Sequence, residues 1–159
     1  MGLRTLKIRF LNSRGLSTNS LASVSSWLSA TSSNNFTPPA DVVFVAETWH
    51  QDIPAYKLSP FYVSSSPRSS TSTSVRGIDG LLCLVSSSLK SQCSAVATGE
   101  FFLSVKIGSA VLTGVYLPPR LSTAELTPIL EALPASELVI GDLNFRRRSN
   151  GDRENIAPE

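Results

Sequence analysis

The 159-residue sequence is short of several residue types, and each shortage excludes a class of protein. Its two cysteines, Cys83 and Cys93, are too few for the disulfide framework that stabilises small secreted domains. No apolar run reaches the roughly 18–20 residues that a membrane-spanning helix needs. The first residues lack the apolar core of a secretory signal, which predicts an intracellular protein that is not secreted. A net charge of +2 is too small to indicate a nucleic-acid partner by itself.

Hydrophobic patterning predicts one domain of mixed α/β structure. Alternating or continuous apolar runs indicate strands over Leu6–Asn12, Asp41–Ala46, Phe61–Ser65, Gly80–Val85, Ala95–Thr98, Phe101–Ile107, Ala110–Tyr116 and Leu138–Ile140. Apolar residues at helical spacing indicate a helix over Thr18–Ser33. A capping-box pattern at Ser122 indicates a second helix, which begins either there or at Pro128. This order implies an α/β or α+β layered domain with helices over at least one sheet face.

Composition divides the chain into a domain at about 1–148 and a polar tail at 149–159. Within the domain, Ser64–Ser74 is a low-complexity polar stretch. Such a stretch buries too little apolar area to offset its ordering entropy. We therefore expect a flexible surface loop there.

Two acidic residues, Glu47 and Asp142, each follow an apolar strand directly. If both strands lie in one sheet and run the same way, both acids emerge at the edge where ligands usually bind. We expect their carboxyl groups to lie roughly 4–8 Å apart, the separation that one Mg²⁺ ion and its waters can span. Taken alone, Glu47 is more often a solvated strand end, and Asp142 with Asn144 is more often an Asx turn.

Four short motifs at strand ends together resemble one enzyme superfamily. They are Asn12–Leu16 (NSRGL), Ala46–Trp49 (AETW), Tyr116–Pro119 (YLPP) and Gly141–Asn144 (GDLN). In this order they are similar to motifs of the endonuclease/exonuclease/phosphatase superfamily, whose fold is that of DNase I. The first and third motifs are most like those of the endonuclease domains of LINE-type retrotransposons. The resemblance implies a DNase I-like two-sheet sandwich flanked by helices.

The resemblance also implies roles for individual residues. The family glutamate that matches Glu47 holds a Mg²⁺ (or Mn²⁺) ion, and the asparagine that matches Asn12 supports the metal and phosphate site. The aspartate that matches Asp142 activates or orients the attacking water, and the residue that matches Asn144 helps to hold the phosphate. The tyrosine that matches Tyr116 donates to a phosphate oxygen, which stabilises the transition state. These roles imply metal-dependent hydrolysis of the DNA phosphate backbone, with a nuclear location for a eukaryotic retroelement.

The resemblance is incomplete at its carboxyl end. The family ends with a Ser-Asp-His motif and is typically longer, whereas the single histidine of this sequence is His50, which follows Glu47. We therefore expect a sandwich truncated before its last strands, with hydrolytic activity impaired or lost in this fragment. An unpaired sheet edge would then be open to self-association.

Two further interpretations stay open. The missing histidine favours a non-catalytic remnant or binding module of the same fold. A phosphatase or exonuclease relative within the superfamily is the other. In each case Tyr116 and Asn12 also have ordinary explanations, as a packing residue at a strand end and as part of a turn.

Overall fold

In the computed structural model, which describes residues 5–28, 40–49, 62–66 and 80–144, eight strands form two four-stranded sheets. The strands are β1 (Ile8–Asn12), β2 (Val42–Ala46), β3 (Tyr62–Ser66), β4 (Leu81–Val85), β5 (Cys93–Thr98), β6 (Phe102–Ile107), β7 (Ala110–Tyr116) and β8 (Leu138–Asp142). The helices of these residues are α1 (Thr18–Leu28), α2 (Thr123–Glu131) and a 3₁₀ helix at Ser87–Gln92. The described helices are all too short or too polar to cross a membrane.

The order of strands is β1-β2-β4-β3 in the first sheet and β5-β6-β7-β8 in the second. Two neighbouring pairs are parallel, β1 with β2 and β7 with β8, and the other pairs are antiparallel. The sheets face each other, with β1 in contact with β8 and β2 in contact with β7. Because both parallel pairs lie on this side, the carboxyl ends of β1, β2 and β8 meet at one end of the sandwich.

The core lies in three layers. Between the sheets, side chains such as Phe44, Leu103 and Val105 are fully buried. The outer face of the first sheet packs against α1. On the outer face of the second sheet, Val115 packs in a cluster with apolar side chains of α2. Every residue of β2 and β4 is buried, because each strand has a packed layer on both faces. This explains the continuous apolar runs in their sequences.

The structure confirms the predicted strands to within one or two residues at each end. The predicted strand and the predicted serine-rich loop overlapped at Ser64 and Ser65, and the structure assigns both residues, with Ser66, to β3. Their backbones pair with β4 across Cys83, Leu82 and Leu81. A partner strand satisfies the backbone groups whatever the side chains are, so the serine composition did not prevent pairing. The rest of the predicted loop, and residues 29–33 of the first predicted helix, lie outside the described residues.

The second helix begins at Thr123, and Pro128 lies inside it. The capping box decides this start: the Ser122 hydroxyl accepts the Glu125 N–H, and the Glu125 carboxylate accepts the Ser122 N–H at 2.8 Å. The hydrogen bonds from Ser122 lower the pKa of the Glu125 carboxyl. Capping satisfies the first free N–H groups, so the helix forms ahead of its proline.

Two fully buried hydroxyl residues, Ser104 and Thr113, lie opposite each other on β6 and β7. Their hydroxyl oxygens are 2.7 Å apart, and Thr113 Oγ1 is also 2.7 Å from Ser136 Oγ. Ser136 Oγ in turn donates to the Pro134 carbonyl at 2.9 Å. This chain of hydroxyls gives the buried polar groups partners inside the protein.

The edge strand β8 carries apolar side chains that stay largely exposed. Leu138 is 38% exposed and Val139 is 47% exposed, and Leu143 just beyond the strand is 39% exposed. Exposed apolar edges are the usual sites of strand-to-strand association. Self-association through this edge stays a prediction.

We predict that Gly114→Ala destabilises the sandwich. A β-carbon at Gly114 would overlap the ring of Phe44, which is fully buried on β2. Overpacking of this kind costs about 1–3 kcal/mol, and urea denaturation should show that loss. Adding Phe44→Leu makes room, so the double variant should lose less than the sum of the two single changes. Simple additivity would contradict contact between these sites as the cause.

Candidate functional site

The predicted site residues converge at the end of the sandwich where β1, β2 and β8 finish. Asn12 is the last residue of β1, Glu47 follows β2 directly, and Asp142 is the last residue of β8. The strands before Glu47 and Asp142 lie in different sheets, which corrects the premise of a single sheet. The acids still share one edge because β1, which pairs with β2, also contacts β8 across the sandwich.

One side-chain amide joins the two acids. Asn12 Nδ2 donates to Glu47 Oε1 at 2.8 Å and to Asp142 Oδ2 at 3.1 Å. These two carboxylate oxygens are therefore at most 5.9 Å apart, the sum of the two distances. This separation agrees with the close approach that we expected from the sequence. All three side chains are half-buried, so the cluster is open to solvent on one side.

Asn144 is placed beside this cluster and fixes the exit from β8. Its backbone N–H lies 3.3 Å from Asp142 Oδ1, and its amide Nδ2 donates to the Leu117 carbonyl at 3.0 Å. The residue thus ties the segment after β8 to the segment after β7. Both oxygens of Asp142 accept hydrogen bonds, so its carboxyl group is held in one orientation.

Tyr116 lies opposite Asp142 in the pairing of β7 with β8. It is 7% exposed and belongs to the core between the sheets. Its backbone N–H donates to the Phe101 carbonyl at 3.0 Å. The structure therefore brings Tyr116 to the site edge as a packed residue, next to one of the two acids.

The turn after β1 is bound directly to the chain around Glu47, which the sequence did not indicate. The Ser13 hydroxyl lies 3.0 Å from the Ala46 and Glu47 carbonyls, and the Gly15 N–H donates to the Glu47 carbonyl at 2.8 Å. The Asn12 Oδ1 atom accepts the Arg14 N–H at 3.1 Å. The Asn-Ser-Arg-Gly turn thus positions Glu47 through the backbone as well as through Asn12.

Left-handed backbone conformations cluster at this end. Among the described residues, positive φ outside glycine occurs at Arg14 (47°), Glu47 (52°), Trp49 (60°) and Asn144 (47°). Such conformations are uncommon for residues other than glycine and persist where the surroundings impose them. All four lie at, or within two residues of, the predicted site residues. The backbone therefore marks this edge independently of any motif.

Two glycines with positive φ make room for the segment after β2. A β-carbon at Gly15 would come within 2.5 Å of the Trp49 ring, and one at Gly80 within 2.5 Å of Thr48 Oγ1. Thr48 is buried, and its N–H donates to the Gly80 carbonyl at 3.2 Å. Larger residues at either glycine would push this segment, and Glu47 with it, out of place.

The donor set at the edge fits a hard cation. No group of three or more His, Cys, Asp or Glu side chains that could hold a metal occurs in the described part of the chain. Mg²⁺, however, is commonly bound by one or two carboxylates and waters, and Glu47 with Asp142 supplies that number. Asn12, which the resemblance implied as support for the metal, presents its nitrogen to the two acids, and its oxygen accepts the Arg14 N–H.

Solved structures with similar folds include an AP endonuclease and a 3′ phosphatase. An AP endonuclease from Archaeoglobus fulgidus matches with a TM-score of 0.60 and 17% identity. The 3′ phosphatase NExo from Neisseria, bound to product DNA hairpin, matches with a TM-score of 0.58 and 17% identity. The chain has the DNase I-like fold. This confirms the predicted fold class.

The matches cover 88% of this chain, which spans 58% of the length of each of those two chains. No family model matches the sequence, and no curated protein matches it either. At this identity the likeness establishes the fold alone.

His50, the single histidine of the sequence, lies outside the described residues.

We predict that Asn12→Ala destabilises the protein in a salt-dependent way. It removes the shared donor and leaves two carboxylates facing each other, so the free energy of unfolding should fall by about 2–3 kcal/mol at low ionic strength. In about 1 M NaCl, where the Debye length is about 3 Å, the loss should shrink. Urea denaturation at the two salt concentrations measures both values.

Ser13→Ala is the matched control for this prediction. It removes a neighbouring hydroxyl that bonds to backbone carbonyls, so its effect should not change with salt. Equal salt dependence in the two variants would show that Asn12 does not offset repulsion between Glu47 and Asp142.

Proposed function

We propose that this edge is the metal and phosphate site of a DNA phosphodiesterase. The bridge from Asn12 Nδ2 to the carboxylates of Glu47 and Asp142 carries the proposal. It gathers two acids from two sheets at an open strand end, an arrangement that packing alone does not require. Like charges held this close are typical of sites that bind a cation.

The residues present would divide the work. Glu47 and Asp142 would hold the ion. Asn12 would position the two acids, because its nitrogen contacts both carboxylates while its oxygen accepts the Arg14 N–H. When bound, Mg²⁺ or Mn²⁺ would neutralise the charge that develops on the phosphate. Asp142, whose orientation is fixed by Asn12 and Asn144, would orient the attacking water and accept its proton at a carboxylate oxygen. Tyr116 would donate to a phosphate oxygen from the opposite position on β7.

DNA is the proposed substrate, and an endonuclease of LINE-type retrotransposons is the finer form of the proposal. The motifs Asn12–Leu16 and Tyr116–Pro119 support this form. An intracellular location, nuclear for a eukaryotic retroelement, would follow from it. Hydrolysis of terminal phosphates is the phosphatase alternative, and release of phosphate from a 3′-phosphorylated oligonucleotide would distinguish it from internal cleavage.

A second candidate is a binding module of the same fold without catalysis. The single histidine of the sequence, His50, follows Glu47 and does not match the family's terminal motif. A module of this kind would bind Mg²⁺ and DNA without cutting. Metal binding and cleavage therefore need separate measurements.

We predict that Mg²⁺ stabilises the folded protein through Glu47 and Asp142. A ligand that binds only the folded state at about 100 times its Kd adds about 2.7 kcal/mol. For a domain of this size that corresponds to a Tm increase of about 5–10 °C. Glu47→Gln and Asp142→Asn retain shape and an oxygen acceptor for Asn12, so both should fold and lose the increase.

Glu131→Gln is the control for these variants, since Glu131 is an exposed acid at the end of α2. It should keep the full Mg²⁺ response. An absence of any Tm change in the unaltered protein, or an unchanged response in both site variants, would refute the metal site.

We predict that residues 1–159 nick supercoiled plasmid negligibly in Mg²⁺. Acid–base assistance of the kind the family histidine gives is worth about 10²–10⁴ in rate, and the remaining groups act together with it. An added carboxyl-terminal segment with the Ser-Asp-His motif should restore nicking. Glu47→Gln should abolish that restored activity, because the amide lacks the charge that the cation needs.

Agarose gels that separate supercoiled from relaxed plasmid measure this prediction. Strong Mg²⁺-dependent nicking by residues 1–159 that survives His50→Ala would show that the missing motif is dispensable. Nicking that is lost in His50→Ala would instead assign the acid–base role to that histidine.

A further inference from the structure

Arg14 occupies an unusual position beside the acidic pair. It lies two residues after Asn12 and is exposed. Its N–H donates to Asn12 Oδ1 at 3.1 Å, while Nδ2 of the same amide contacts Glu47 and Asp142. One amide group therefore sets the positions of both acids and of the arginine backbone.

The backbone conformation at Arg14 does not favour an arginine. Its φ of 47° is left-handed, a conformation that glycine and asparagine adopt at lower cost. The hydrogen bonds of Ser13 and Gly15 to the Glu47 carbonyl hold the turn in this shape. Arg14 thus stands next to the site edge in a turn whose geometry would suit a smaller residue.

The guanidinium is not used as a counter-ion within the described part of the chain. None of the described carboxylates, including Glu47 and Asp142, forms an ion pair with it. An arginine that merely neutralised the two acids would contact one of them. A permanent cation on a turn that is bound to the acidic pair, with no ion pair to either acid, is suited to an anion that approaches the same edge.

We propose that Arg14 binds a backbone phosphate of DNA next to the acidic pair, an inference that rests on the proposed function. The planar guanidinium donates two parallel hydrogen bonds to phosphate oxygens, which gives a defined orientation. Because the turn is bound to Asn12 and Glu47, the phosphate would be held in register with the two acids. Arg14 is thus a substrate-binding residue that decides how the strand enters the site.

The test is binding of a fluorescein-labelled DNA duplex, measured by anisotropy over a range of salt concentrations in EDTA. Each phosphate contact adds about 0.9 to the slope of log affinity against log salt for duplex DNA. Arg14→Asn should make the slope shallower by about 0.9 and weaken binding about fivefold. Its Tm should be unchanged or higher, because asparagine tolerates the left-handed backbone.

Lys90→Asn is the matched control, because it also removes one exposed positive charge. Lys90 follows β4, whose last residue pairs with the first residue of β2, so it lies at the end of the sandwich away from Glu47. This variant should leave the slope and the affinity nearly unchanged. Arg14→Lys keeps the positive charge but lacks the planar pair of N–H donors. It should therefore keep the salt slope and lower the affinity for DNA.

Equal effects of Arg14→Asn and Lys90→Asn would overturn the proposal, as would a shallower slope in Arg14→Lys. A fall in Tm in Arg14→Asn with an unchanged slope would assign Arg14 a purely structural role. Because EDTA removes metal and cleavage from the assay, these outcomes are separate from those of the nicking test. No DNA binding by the unaltered protein at low salt would refute the DNA site as well.

Discussion

The bridge formed by the Asn12 amide is the interaction on which the candidate site depends. An amide nitrogen carries two hydrogens, and here each goes to a carboxylate that belongs to a different sheet. Without this donor, the two acids would repel each other across the gap between the sheets. The bridge is possible because β1 is an edge strand that both pairs with β2 and contacts β8. The acidic pair therefore depends on the way in which the two sheets pack, with β1 against β8.

Much of the local structure could be predicted from the sequence, because its causes are local. The runs that became β2 and β4 are apolar throughout since both faces are buried. The Ser122–Glu125 capping box marked the start of α2, although Pro128 made a later start equally plausible from the sequence. At Ser64 and Ser65 the strand and loop predictions overlapped, and composition could not decide between them because it carries no information about a partner strand.

The long-range arrangement could not be predicted in the same way. Nothing local shows that β2 and β8 belong to different sheets, or that Asn12 reaches a residue 130 positions away. The motifs placed the acids at strand ends, and only the packing of β1 on β8 brings them together. The backbone bonds from Ser13 and Gly15 to Glu47 also escaped prediction, because they depend on main-chain geometry and not on side-chain type.

Within the described ranges, the two ends of the sandwich differ in backbone strain. The left-handed residues Arg14, Glu47, Trp49 and Asn144 all lie at the acidic end. At the three that are not asparagine, such a conformation costs about 1–3 kcal/mol and has to be imposed by neighbouring contacts. The fully buried strands β2 and β4 contribute the favourable free energy that offsets this cost. A strained, polar edge on a well-packed sandwich is typical of proteins whose stability and function make opposing demands.

The buried hydroxyl chain has a consequence for proton positions. Ser136 has one hydroxyl hydrogen, and it points to the Pro134 carbonyl. Thr113 must therefore donate to Ser136, and Ser104 must donate to Thr113. A single backbone carbonyl thus fixes the direction of three hydroxyl groups, two on the second sheet and one in the segment before β8. If Ser136 turned its hydrogen toward Thr113, Thr113 could no longer donate to Ser136, so the state of the first hydroxyl decides the donor of the next contact.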